Sequence, residues 1–122
     1  KGVKIENNLQ TNGTLLNDEW GKFLSKNKFM VGLSIDGPEM IHNAYRTNRA
    51  GRGTFKQTMK GVDILHKHKV NFATLTCVNN LTGSNPLDVY RFLRDEIRSP
   101  QMQFIPIVEP KSFRDTAPQT TV

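Results

Sequence analysis

The run Phe29-Met30-Val31-Gly32-Leu33-Ser34-Ile35 constrains the fold most, because it is apolar nearly throughout and breaks at its C-terminal end into Asp36-Gly37-Pro38-Glu39. A strand apolar on both faces is the mark of a parallel sheet covered on both sides. Parallel strands need crossovers, and the flanking sequence supplies them. Lys4 to Gln10 reads as a weak strand ending at Thr11-Asn12-Gly13. Asn17 then caps a helix with Asp18 and Glu19 in its first turn and Trp20, Phe23 and Leu24 on one buried face, until Asn27 and Lys28 stop it. After Asp36-Gly37, Pro38 suits the first position of a short helix to about Tyr45.

The polar, glycine-rich stretch Thr47 to Gly53 is a loop, and Thr54 with Gln57 has the spacing of a capping box. The helix that follows carries Phe55, Met59, Val62 and Leu65 as its apolar stripe. Val70 to Val78 is the next strand, with Phe72, Thr74, Thr76 and Val78 on one face and Ala73, Leu75 and Cys77 on the other. The second face, being all apolar, is expected to pack under helices, and the threonine face to line a semi-polar interior. Asn79 to Ser84 is a turn cluster. Asn85 and Pro86 then start a helix with Leu87, Tyr90, Leu93 or Arg94, and Ile97 along one side, ended by Ser99-Pro100. Gln101 to Val108 is the last strand, with Pro106 marking an end or bulge.

The order βα, βα(α), βα, β argues for a parallel sheet with right-handed crossovers. Four such strands make half of a doubly wound sheet or an arc of a (β/α) barrel. A closed barrel typically needs about 250 residues, so the 122 residues here are an incomplete one. Either way the fold class is α/β.

Composition excludes several functions. No run of eighteen apolar residues exists and no apolar stretch follows the basic N-terminus, so neither a membrane span nor a signal peptide is readable and a cytoplasmic protein is expected. Seventeen basic against eleven acidic residues give +6. The cations are scattered along helices, which suits solvated faces and helix C-termini better than a nucleic-acid patch. The single cysteine, Cys77, makes no internal disulfide, holds no iron-sulfur cluster alone and is expected to be buried rather than reactive. Gly51-Arg52-Gly53-Thr54 lacks phosphate-loop spacing, and no GxGxxG opens a helix. His42, His66 and His68 form no metal constellation and are expected to be exposed.

Ligands in parallel folds sit on the loops leaving the C-terminal strand ends. Those ends offer Thr11, Asn12 and Thr14, then Ser34 and Asp36, then Asn79 and Asn80, then Glu109. This lining suits gripping a polar ligand more than generating a nucleophile, and no catalytic or metal-binding residue is assigned. Arg46 can turn back over the strand ends to hold a carboxylate, or make a surface ion pair instead.

Five strings carry a resemblance: Leu-Gln-Thr-Asn-Gly-Thr-Leu-Leu; Val-Gly-Leu-Ser-Ile-Asp-Gly-Pro-Glu with Tyr45-Arg46 after it; Leu-Thr-Cys-Val-Asn; Val-Tyr-Arg-Phe-Leu-Arg-Asp; and Gln-Phe-Ile-Pro-Ile-Val-Glu-Pro. In order and spacing they resemble the middle of radical S-adenosylmethionine (SAM) enzymes, specifically the anaerobic sulfatase-maturating family, over about residues 8 to 110. The last string is the most specific. The resemblance implies an arc of a partial (β/α), TIM-like barrel over 1–110, and a loosely ordered tail, 111–122, toward a further C-terminal domain. It implies that Ser34 contacts SAM, that Arg46 pairs with the cofactor's carboxylate and that Ile107 lies against the adenine, with Asn12 and Asn79 at the same rim.

The family's chemistry is reductive cleavage of SAM by a 4Fe-4S cluster, giving a 5′-deoxyadenosyl radical that takes a β-hydrogen from a sulfatase cysteine or serine on the way to formylglycine. The cluster's CxxxCxxC motif, the cysteine-rich C-terminal region and the catalytic base of that family are absent from these 122 residues. The piece alone is therefore expected to turn nothing over, its cluster ligands lying outside it. The resemblance implies a sulfatase polypeptide as partner, not nucleic acid or membrane, and exposed strand edges are expected to favour self-association. The alternatives are another radical peptide-modifying enzyme on the same barrel, or a non-catalytic basic α/β binding module.

Overall fold

A computed structural model describes residues 2–108. Its elements are β1 (Asn8–Thr11), α1 (Asp18–Lys26), β2 (Met30–Ser34), α2 (Glu39–Tyr45), α3 (Phe55–Lys67), β3 (Asn71–Val78), α4 (Asn80–Ser84), α5 (Pro86–Arg91) and β4 (Met102–Pro106), with a π-helical turn over Phe92–Glu96 extending α5. Glu109, Pro110 and the tail 111–122, for which expectations were stated, lie outside the described residues.

The four strands are all parallel and lie in chain order, β1-β2-β3-β4. A doubly wound sheet reverses its strand order part-way; this one does not. Sequential right-handed crossovers put every helix on the same face and leave the other face as the inside of an arc. The sheet is unclosed, with β1 and β4 at its edges.

Alternation along the strands decides which residues meet the helices. Val31 and Leu33 of β2, registered with Phe72 and Thr74 of β3, are fully or nearly fully buried against Leu24, Val62, Leu65, Val89, Phe92, Leu93 and Ile97 from the helices. Burying a side chain of this size contributes about 1.5–3 kcal/mol, so this one layer is what holds the domain together. The opposite residues, Gly32 and Ser34 on β2 and Ala73 and Cys77 on β3, are only half-buried. The expectation of a strand covered on both sides is thus corrected: helices cover one side only.

The two faces of β3 are also the reverse of expectation. Phe72, Thr74 and Thr76 lie under the helices. Their hydroxyls tolerate that burial because each finds a partner: Thr76 Oγ1 donates to the Ile35 carbonyl at 2.7 Å, and Thr74 Oγ1 meets Ser99 Oγ at 3.0 Å. Leu75, on the inner face, is buried because it lies over Gly32, where a side chain would meet its Cδ1 at 2.8 Å.

Local expectations fared unevenly. Asn17 caps α1, its side chain accepting from the Trp20 N–H, but that helix docks through Gly21 and Leu24. Trp20 and Phe23 remain about half exposed and pack edge-on against each other instead. The turn cluster after β3 is a short helix, α4, capped by Asn79. Helix α5 buries Val89, Phe92, Leu93 and Ile97, whereas Leu87 and Tyr90 point outward. The π-helical turn, closed by the Ile97 N–H on the Phe92 carbonyl at 3.1 Å, carries Ile97 into the core. Thr54 makes no side-chain cap to α3 because its hydroxyl is used elsewhere.

Candidate functional site

Parallel order brings all four C-terminal strand ends to one rim of the arc. Inward from that rim run the half-buried or exposed residues Gln10, Gly32, Ser34, Ala73, Cys77, Gln103 and Ile105, in register across the sheet. The side chains of Ser34 and Ala73 on this face are small, and Leu75 fills the space over Gly32. Ser34 is half-buried at the end of β2, its hydroxyl unbonded among the described residues. Ile107 is half-buried just past β4, and its N–H donates to the Val78 carbonyl at 3.2 Å.

Arg46, at the C-terminus of α2, turns back over the rim, one of the two outcomes left open for it. The carboxylate it holds there belongs to Asp36, immediately past β2: Nε donates to Oδ2 at 2.6 Å and Nη2 to Oδ1 at 3.2 Å. Asp36 is 3% exposed, so this is no surface ion pair. Its Oδ1 also accepts from the Cys77 N–H at 3.0 Å, and Arg46 Nη2 reaches Cys77 Sγ at 3.6 Å. A carboxylate buried to this degree needs such a partner and such donors.

Behind the pair stands His42, which is fully buried rather than exposed. Its Nδ1 accepts from the Asp36 N–H at 3.3 Å, while Nε2 lies 3.2 Å from Thr54 Oγ1. Thr54 Oγ1 donates its own proton to the Arg46 carbonyl at 2.9 Å. The tautomer follows: Nε2 carries the proton and Nδ1 is the acceptor. Burial, with a smaller contribution from the Arg46 cation and against the opposing pull of Asp36, pushes the imidazole down to about 4. It is neutral at physiological pH. His66 and His68 are half-buried and also bonded, to the Ile97 carbonyl and to Asp18.

The remaining candidates are tied into turns. Asn79 is buried, and its Oδ1 accepts from the Leu81 and Thr82 N–H groups at 2.9 and 3.0 Å. The Thr82 hydroxyl accepts from the Asn79 N–H in return. Asn12 is exposed and its Oδ1 accepts from the Thr14 N–H and hydroxyl. The Asn12 carbonyl accepts from Thr58 Oγ1 at 3.1 Å, which fastens the β1 turn to α3. The rim therefore gathers Arg46, Asp36 and Cys77 into direct contact, with Ser34 and Ile107 on adjoining strand ends. His42, Thr54 and Thr58 were missed. Their only signal in the sequence is that His42 precedes Arg46 by one helical turn.

Residues 1–93 match the family model of the Radical SAM superfamily. This chain belongs to the radical SAM superfamily. Members of it use SAM and a 4Fe-4S cluster. The chain is 45% identical over 109 residues to the serine-type anaerobic sulfatase-maturating enzyme of Bacteroides thetaiotaomicron, covering 89% of this chain and 26% of that protein. It is 42% identical over 110 residues to the cysteine-type enzyme of Clostridium perfringens, covering 90% of this chain and 30% of that one. A solved structure of native anSMEcpe with bound AdoMet and Kp18Cys peptide superposes with a TM-score of 0.89 at 38% identity, over 98% of this chain and 33% of that chain. The chain thus spans about a quarter to a third of the relatives it matches. An arc of a radical SAM partial barrel is what the strand order and the superposition both show.

The superfamily's two groups fit these residues differently. Among the described residues no three His, Cys, Asp or Glu side chains could hold a metal ion, and the lone cysteine lies against Arg46. The iron-sulfur cluster does not fit here. The helix-free face, with the Arg46 guanidinium and the Ser34 hydroxyl at its rim, does fit a ligand that carries a carboxylate.

Proposed function

We propose that residues 1–110 form the central, SAM-holding wall of an enzyme that converts a sulfatase cysteine or serine to formylglycine, with 111–122 leading to a further domain. The observation that carries this is the identity of 42–45% to both types of sulfatase-maturating enzyme over about nine-tenths of the chain. In that reading Arg46 pairs with the cofactor's carboxylate, Ser34 supplies a hydroxyl at the neighbouring strand end, and Ile107 meets the adenine. Asn12 and Asn79 shape the rim through the turns they cap. SAM and the cluster together supply hydrogen abstraction from the substrate. The chain's own part is to bind and orient: the helices leave this face of the sheet uncovered, and the rim with its Arg46–Asp36 pair accepts a ligand that carries a carboxylate.

The partner is a sulfatase polypeptide, in keeping with the bound Kp18Cys peptide of the structural neighbour. No helix among the described residues is long and apolar enough to cross a membrane. In this reading the protein is cytoplasmic. The isolated 122 residues are inactive in this account and self-associate through the free edges of β1 and β4, where Phe104 and Ile105 are exposed.

The test uses the complete protein carrying this sequence, reconstituted with iron and sulfide under anaerobic conditions and given SAM, a reductant and peptides carrying a sulfatase cysteine or serine. Formylglycine in the peptide by mass spectrometry is the expected result. Cleavage of SAM with no change in either peptide would assign the barrel to a different substrate. Formation of 5′-deoxyadenosine by the 122-residue piece alone would contradict the division of labour proposed.

A further inference from the structure

Four segments converge behind Arg46, and their bonds have one direction. Asp36, at the end of β2, takes Nε and Nη2 of the guanidinium on its two oxygens. That carboxylate is fixed in turn by the Cys77 N–H of β3, and its own backbone N–H is fixed by His42 of α2. Thr54, at the start of α3, closes the ring by meeting His42 Nε2 and donating to the Arg46 carbonyl. Both ends of Arg46, backbone and guanidinium, are therefore held by one connected set, in which Asp36 and His42 are buried. Only Nη1 is left without a hydrogen bond among the described residues, and the side chain is 26% exposed. A long flexible side chain gripped along one edge of its fork presents the other edge in a single orientation.

We infer that Asp36, backed by His42 and Thr54, is a positioning residue that fixes the Arg46 guanidinium for a ligand carboxylate; the inference rests on the proposed SAM site. Asp36 touches no ligand in this arrangement. Its effect reaches the ligand through Arg46, so it acts on the carboxylate end and leaves the purine end alone. A residue needed only for folding would weaken both ends together.

Equilibrium dialysis on the complete protein separates the two with two probes. S-adenosylhomocysteine keeps the amino-acid carboxylate; 5′-methylthioadenosine lacks it. Arg46→Ala checks the parent reading: it should weaken the first probe selectively, and equal effects on both would remove the carboxylate site itself. Given that selectivity, Asp36→Asn is expected to weaken S-adenosylhomocysteine about tenfold and 5′-methylthioadenosine less than about twofold. Thr54→Val should cause a selective loss of about threefold, restored by Thr54→Ser, and this pair carries the test if Asp36→Asn does not fold. Equal losses for both probes, no loss for either, or tighter S-adenosylhomocysteine binding because Asp36 competes for Arg46, would each overturn the positioning role.

Discussion

Two helical glycines separate packing from propensity in this fold. Gly61 in α3 and Gly83 in α4 each gain about 1 kcal/mol of helix propensity when replaced by alanine. The structure predicts opposite outcomes. A Cβ at Gly61 would lie 2.4 Å from the Gly13 carbonyl oxygen, 3.2 Å from its carbon and 3.3 Å from its Cα, all backbone atoms of the turn that ends β1. Real Cβ atoms essentially never come under 3.0 Å, so helix or turn must move. Overpacking costs about 1–3 kcal/mol, and contact with backbone belongs at the upper end, leaving a net loss of about 1–2 kcal/mol for Gly61→Ala. At Gly83 the nearest atom is a Val78 methyl at 3.7 Å, an ordinary contact, and Gly83→Ala should gain about 0.5–1 kcal/mol. Urea midpoints of the two variants in the complete protein, read at equal slope, check this. Shifts of the same sign would refute the claim that α3 rests directly on the β1 turn.

Other consequences follow from particular bonds. The folded His42 imidazole is held down near 4 from an ordinary 6.5, so its contribution to stability is fully present above pH 6.5 and is lost as pH falls toward 4. Urea midpoints against pH should show that slope, and His42→Gln should remove it. Asp18 accepts from Lys67 and His68, and these bonds lower its carboxyl to about 2. Stability from that tie between α1 and α3 is present above about pH 4 and lost as pH falls toward 2, so Asp18→Asn should flatten the acid limb of the same curve. Thr76→Val keeps shape but leaves the buried Ile35 carbonyl without its hydroxyl donor, a loss of about 1–3 kcal/mol measurable by the same unfolding.

The alternation of apolar runs with amphipathic stretches was legible from Phe29–Ile35 onward, because period and punctuation are local. Which face of a strand meets the helices is not local. Thr74 and Thr76 look like the polar side of β3 until Ser99 and the Ile35 carbonyl, 25 and 41 residues away in the chain, supply their partners. Which side of α5 turns inward is likewise not local: Val89 and Phe92 are buried, whereas Leu87 and Tyr90 are exposed. At the site, the place of Arg46 after a short helix left its return over the strand ends and a surface ion pair equally open. The identity of its partner was not readable, since Asp36 serves equally as an ordinary turn residue. His42 was misread because a lone histidine in the sequence gives no sign of burial until its two ring nitrogens find Asp36 and Thr54.

The central claim is that this arc's rim holds SAM. A crystal structure of the complete protein with SAM bound tests it most directly. The amino-acid carboxylate is predicted at Arg46, with Ser34 beside it and the adenine against Ile107, on the helix-free face of the sheet. SAM found on the helix side, or held with no contact to these three residues, would contradict the account.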